Sequence, residues 1–364
     1  VKKVVVAPDS FKGSCTAHEA AAAMARGIRA ASPGVEVIQL PIADGGEGTL
    51  AVLADRTETV TVTHATGAPC EAVLGWSQQT AIVEVAQAVG LPSVPEAARD
   101  PWHLTSAGVG ELIARAIARG ARRVFVTLGG SATVDGGAGM LHALGASLRD
   151  GKGRALAASP AAWAEHVATV DLDKARATIG DVELIGLSDV TSPLLGAGGA
   201  RMFMRQKGVT ESRLDAMEAA LARLASAADA AAHASVAGAG AAGGLGVALL
   251  ALGAELRSGA DAVLDHLGFD EALRGADLML TGEGSFDAQS LAGKATGVAI
   301  ARARAAGVTA AVICGIGQAE ALPVVAVGAG LPLEEAMRRA PALIEAASSA
   351  LVGRLGADPA RSGA

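Results

Sequence analysis

Leu128–Gly139, LGGSATVDGGAG, is the stretch on which the reading of the fold turns. An apolar run, Val124–Leu128, feeds into it and a helix-like run, Met140–Gly145, leaves it. Five glycines, the hydroxyls of Ser131 and Thr133, and the carboxylate of Asp135 fall within these twelve residues. Glycines at a strand-to-helix junction let backbone N–H groups approach an anion, and the helix N-terminus adds partial positive charge. One reading is therefore a phosphate cradle. The other is a tight turn whose glycines only relieve crowding between strand and helix.

Working outward, the same arrangement recurs. Val4–Ala7 reads as a buried strand that delivers Pro8-Asp9-Ser10-Phe11-Lys12-Gly13 to a loop. Thr16 with Glu19 three residues on is a capping box, opening an alanine-rich helix to about Ala31. Val35–Leu40 is a second strand, running into Ala43-Asp44-Gly45-Gly46-Glu47-Gly48 and a helix from Thr49. A βαβα beginning predicts a parallel sheet with helices on its faces, and such sheets bind ligands beyond the carboxyl ends of their strands. Between Glu58 and Ala86 the pattern changes to short alternating runs, an antiparallel meander that opens a second domain. A helix over Gly108–Arg119 leads to the central loop. Val182–Leu187 is a strand ending in Ser188-Asp189-Val190-Thr191-Ser192-Pro193, followed by Gln206-Lys207-Gly208 and a helix over roughly Glu211–Ala234. Ala276–Leu280 ends in Thr281-Gly282-Glu283-Gly284-Ser285-Phe286-Asp287, with Lys294 at the start of the next helix. Thr309–Cys314 reads as a last strand, before a helix from about Leu333.

Bulk properties exclude several classes. At 364 residues the chain is expected to form two domains. With 51% hydrophobic but only 2% aromatic residues, the core must be aliphatic. A net charge of -7 with scattered lysines and arginines argues against nucleic acid as a partner. Cys15, Cys70 and Cys314 make neither a disulfide framework nor a zinc pattern, and with no signal-peptide pattern at the start they fit a reducing, cytoplasmic setting. Ala234–Ala254 is uncharged, yet its first half is glycine and alanine, which contribute little to insertion, so no membrane partner is expected. GxxxxGK[ST], HExxH and GxSxG are all missing, and the seven histidines are isolated in sequence. Gly238–Gly243 matches GxGxxG with Asp261 beyond it, but it follows a helix rather than a strand and so is not a dinucleotide fingerprint.

What remains is a repeated theme of strands ending in glycines with an embedded acid: Asp9, Asp44 with Glu47, Asp135, Asp189, and Glu283 with Asp287. Carboxylates gathered at one sheet edge repel one another without a cation. That predicts Mg2+ carrying phosphates, with one carboxylate left over as a base. Lys12, Lys207 and Lys294 would neutralise phosphate or a substrate acid.

Seven motifs in order, VVVAPDSFKGS, PIADGGEGT, LGGSATVDGGAGM, SDVTSPL, QKG, GAGAAGGLG and TGEGSFDAQS, closely resemble the bacterial glycerate kinases that form 2-phosphoglycerate. The resemblance implies an α/β fold of two domains, a Rossmann-like parallel-sheet domain (1–56 and 255–364) interrupted by a mixed-sheet α/β domain (57–254), with the active site in the cleft between them. It also implies ATP, Mg2+ and D-glycerate. On this reading Gly129, Gly130, Ser131, Thr133, Gly136, Gly137, Gly243, Gly244 and Glu283 hold the nucleotide, and Asp44, Glu47 or Asp135 the metal. Asp189 or Asp287 would accept the substrate proton, and Lys12 or Lys207 would clamp the glycerate carboxylate. Several positions depart from the family pattern: Cys15, Ser192, Met204-Arg205, and Ser285 where an arginine is usual. The segment after Gly317 is also short, as if a helix and a strand were lost. These departures leave open a kinase for another small hydroxy acid, or a catalytically weak nucleotide-binding protein. A homo-oligomer stays open as well.

Overall fold

Val4, Val5, Val6 and Ala7 are completely buried along the strand Lys3–Pro8, as expected of a parallel strand covered on both faces. Val4 and Val6 join one apolar cluster, with Met24, Ile28 and Ile344, while Val5 and Ala7 join another, with Leu264, Phe269 and Ile300. The period of two thus feeds two helical layers. The structure, a computed structural model, describes residues 1–291, 293–318 and 322–356. Its chain falls into two compact units, Val1–Asp44 with Gly259–Ala364, and Gly45–Ser258.

In the first unit five strands form one sheet in the order Val324–Ala326, Thr309–Gly317, Leu278–Phe286, Lys3–Pro8, Glu36–Gln39, every neighbouring pair parallel. Numbered along the chain, this is the doubly wound order 2-1-3-4-5, whose topological switch point lies between Lys3–Pro8 and Leu278–Phe286. The helix Ala17–Ala31 begins with the expected capping box. Glu19 N–H donates to Thr16 Oγ1 at 3.2 Å and Thr16 N–H donates to Glu19 Oε2 at 2.8 Å.

The second unit holds a mixed sheet ordered Glu255–Arg257, Glu183–Leu187, Arg123–Thr127, Thr80–Glu84, Pro69–Ser77, Arg56–Thr63. The first four strands are parallel and the last two turn back antiparallel, which is the meander. A small antiparallel sheet, Ala155–Leu156, Ser147–Asp150 and Val167–Asp171, accompanies it. No helix among the described residues is long and apolar enough to cross a membrane.

Several elements differ from what the sequence pattern predicts. The two compact units divide after Asp44 and after Ser258, beside the expected division at 56/57 and 254/255. The helix Thr49–Leu53 packs on the second sheet, with the N–H groups of Gly48 and Leu50 each donating to Glu84 Oε2 at 3.1 Å. Glu255–Arg257 pairs with Glu183–Leu187 as an edge strand of that same sheet. The strand read as Ala276–Leu280 runs on to Phe286, because Gly282 lets the backbone lie against the Ile313 carbonyl, where a Cβ would collide. The segment after Gly317 keeps a strand, Val324–Ala326, despite its shortness.

Candidate active site

The carboxyl edge of the first sheet gathers chemistry at the switch point. Asp9 and Lys12 follow the strand Lys3–Pro8, Glu283 lies near the end of Leu278–Phe286, Asp44 follows Glu36–Gln39, and Lys294 caps the helix Ala295–Ala305. All five line one cavity of about 400 Å³, together with Ser10, Ser14 and Ser285. Its other wall is aliphatic, made by Ile316, Val327, Leu331, Leu333 and Met337.

Burial and neighbouring acids act together on ionisation here. Burial, reinforced by the negative charge of Asp44, pushes the Asp9 carboxyl up to about 7, with Glu283 adding to the rise while the Ser10 N–H and the Lys12 ammonium oppose it. Burial likewise raises the Glu283 carboxyl, with the nearby Ser290 and Thr296 hydroxyls and the Lys294 ammonium opposing. Glu283 is only 9% exposed and its Oε1 has no hydrogen-bond partner among the described residues. A buried acceptor left unpaired is costly, so it is a place where a ligand donor would be welcome.

The glycine loops of the second unit behave differently. Asp135 is fully buried, and both of its oxygens are occupied: Oδ2 accepts from Ser106 N–H and Ser106 Oγ at 2.8 Å and from Gly139 N–H at 3.1 Å, while Oδ1 accepts from Gly137 N–H at 3.2 Å. Burial nonetheless raises its carboxyl, with these bonds opposing. Lys207 is buried too, donating from Nζ to Ser131 Oγ at 2.8 Å and to the Thr133 carbonyl at 3.0 Å. Burial drives its ammonium down to about 7 against the pull of Asp135.

Gly136 N–H donates to the Gly243 carbonyl at 3.0 Å, and Gly244 lies on Gly136. Gly243, at φ +69°, leaves no room for a Cβ beside the Thr133 carbonyl. Gly136, Gly137, Gly243 and Gly244 therefore seat one loop on the other. Only the rim Gly129–Gly130 reaches the surface, Ser131 and Thr133 being buried and Thr133 Oγ1 without a partner among the described residues. Gly243→Ala is expected to destabilise the fold by about 2–4 kcal/mol through strain and collision, read as a lowered melting temperature.

Asp287 stands close enough to the cavity acids for its charge to add to the rise of the Glu283 carboxyl. Asp287 is exposed, and its Oδ1 accepts from Gln289 N–H at 2.8 Å and Ser290 N–H at 3.2 Å, a local turn. Asp189 is exposed on the turn after Glu183–Leu187, and Glu47 is exposed before the helix Thr49–Leu53. Among the described residues no three or more His, Cys, Asp or Glu side chains are grouped to hold a metal ion.

The fold has a solved counterpart, and the sequence has curated relatives. The profile of the glycerate kinase family matches residues 4–355. The chain belongs to the glycerate kinase family. The glycerate kinase of Bacillus subtilis (strain 168) is 38% identical over 312 residues, 83% of this chain and 81% of the relative. The glycerate 2-kinase of Escherichia coli (strain K12) is 37% identical over 303 residues, 80% and 79% of the two chains. A crystal structure assigned as glycerate kinase 2 from Salmonella typhimurium LT2 superposes with a TM-score of 0.89 at 35% identity, covering 98% of this chain and 99% of that one. For a member of this family, the residue that sequence reasoning left without a role is Asp9. Its signal is the PDSFK loop at the end of the first strand. The aliphatic wall gives no motif at all, since it is assembled from separate strand ends.

Proposed function

We propose that the chain transfers the γ-phosphoryl of ATP to a hydroxyl of D-glycerate, giving 2-phosphoglycerate. The observation that carries this reading is the cavity at the switch point, where Asp9, Lys12, Asp44, Glu283 and Lys294 converge. The 2-position is supported by the name of the Escherichia coli relative. Phosphoryl transfer proceeds in line through a loose transition state, so a protein contributes mostly positioning and charge neutralisation. Asp9, with its carboxyl raised to about 7, is poised to take the proton of the attacking hydroxyl near neutral pH. Lys12 and Lys294 offset the charge of the glycerate carboxylate and the moving phosphoryl group. Free Cys15, Cys70 and Cys314 suit a reducing cytoplasm.

A dedicated metal cage is not what these residues form, so Mg2+ is proposed to arrive with the nucleotide phosphates. Titrating Mg2+ into the nucleotide-free protein by calorimetry should then give no binding heat. The same titration with ADP present should. Incubation with ATP, Mg2+ and D-glycerate, with products separated as 2- and 3-phosphoglycerate, tests the reaction. A product exclusively phosphorylated at the 3-position, or none from glycerate but turnover of lactate or tartronate, would refute this assignment.

A further inference from the structure

The cavity has two unlike ends, and the sheet order fixes which strand supplies each. Across the carboxyl edge the strands run Val324–Ala326, Thr309–Gly317, Leu278–Phe286, Lys3–Pro8, Glu36–Gln39. Val327 and Ile316 stand at the first two, Glu283 at the third, Asp9 and Lys12 after the fourth, and Asp44 after the fifth. The chemistry therefore grades from aliphatic, through one unpaired acceptor, to charged. Strands lie about 4.8 Å apart, so the step from Val324–Ala326 to Lys3–Pro8 is roughly 14 Å, comparable with an extended nucleoside diphosphate.

The aliphatic end is also incomplete as it stands. Ile316 and Leu333 are 58% and 70% exposed, two of the large apolar side chains that the fold leaves uncovered. They face the same cavity as Val327, Leu331 and Met337. A flat apolar group placed there would remove this surface from water. Glycerate has no such group, and its oxygens have no use for an aliphatic wall.

We infer that the aliphatic end is the nucleobase subsite: ATP lies across the carboxyl edge of the first sheet, its purine between Ile316, Val327 and Leu331 and a ribose hydroxyl donating to Glu283 Oε1. The phosphates then point along the edge toward Lys12 and Asp9. The inference rests on the kinase reading for its nucleotide, and goes beyond it by assigning the base, sugar and phosphate to named strand ends. The aliphatic side chains hold the base by area, and Phe11 is the aromatic residue that lines the same cavity.

Two substitutions test it without threatening the core, because both sites are solvent-accessible: Ile316→Glu and Ala336→Trp, the latter filling the cavity from the helix Leu333–Arg338. Adenosine alone, without phosphates or Mg2+, is titrated into the full-length wild type and both variants by calorimetry, and KM is measured separately for ATP and glycerate. The expected result is adenosine binding in the wild type, weakened about tenfold or more in each variant. KM for ATP rises by a similar factor, and KM for glycerate stays within about threefold. Thermal melts matching the wild type confirm that the variants fold. Equal adenosine affinity in all three proteins, or a rise in KM confined to glycerate, overturns the subsite even if the wild type makes 2-phosphoglycerate. Conversely, adenosine binding lost in the variants of an enzyme that phosphorylates a different acid upholds the subsite and overturns only the acceptor.

Discussion

Asp9→Asn is expected to lower kcat by roughly 100- to 1,000-fold, the usual weight of a general base, while KM for ATP changes little. In the wild type, kcat/KM should rise as pH increases through about 7, the value to which burial and the charge of Asp44 push the Asp9 carboxyl. The variant should lose that limb. Stability should move the other way. An aspartate that ionises at 3.8 when unfolded and near 7 when folded gives up its proton more readily unfolded, so the wild type loses stability as pH rises from about 4 to 7. The uncharged amide of the variant carries no such loss, and Asp9→Asn should melt above the wild type at pH 8. Asp287→Asn is the contrasting case. Its carboxylate serves a turn at the surface, so the cost is about 1 kcal/mol of local stability with turnover near normal. A profile unchanged in Asp9→Asn, with turnover abolished in Asp287→Asn, would reverse these roles.

Lys207→Met should have the largest effect on the second unit. The methionine retains most of the aliphatic stem but strips donors from Ser131 Oγ and the Thr133 carbonyl, and leaves buried Asp135 without its cation. Removing one member of such a buried set costs about 3 kcal/mol, which for a unit of this size lowers Tm by roughly 6–12 °C. The pH dependence gives a sharper signature. Lys207 ionises near 7 in the fold against an ordinary 10.5, so between these values the unfolded chain binds the extra proton. Wild-type stability therefore rises with pH across that window. The gap between wild type and Lys207→Met should widen from pH 7 to pH 10, as followed by urea unfolding. A gap that is constant or narrows would show that Lys207 is not held in this buried setting.

The sequence by itself determined the doubly wound core and the family. Val4–Ala7, the Thr16–Glu19 box and the acid-bearing glycine loops are local patterns, and strand burial, helix capping and turn geometry are decided within a few residues. Local pattern also named most of the cavity's charged groups, because a parallel sheet brings the carboxyl ends of its strands to one edge whatever lies between them. What a loop does there was not legible. LGGSATVDGGAG and GAGAAGGLG have the glycines of phosphate cradles, yet Gly136, Gly137, Gly243 and Gly244 are spent on seating one loop against the other. Asp135 staples that loop to Ser106. A glycine permits close approach, and only the neighbour that fills the space decides whether the partner is an anion or another backbone. The same holds for the aliphatic wall. Ile316, Val327 and Met337 are ordinary apolar residues in sequence, and they become one surface only because strand order sets Thr309–Gly317 and Val324–Ala326 beside Glu283.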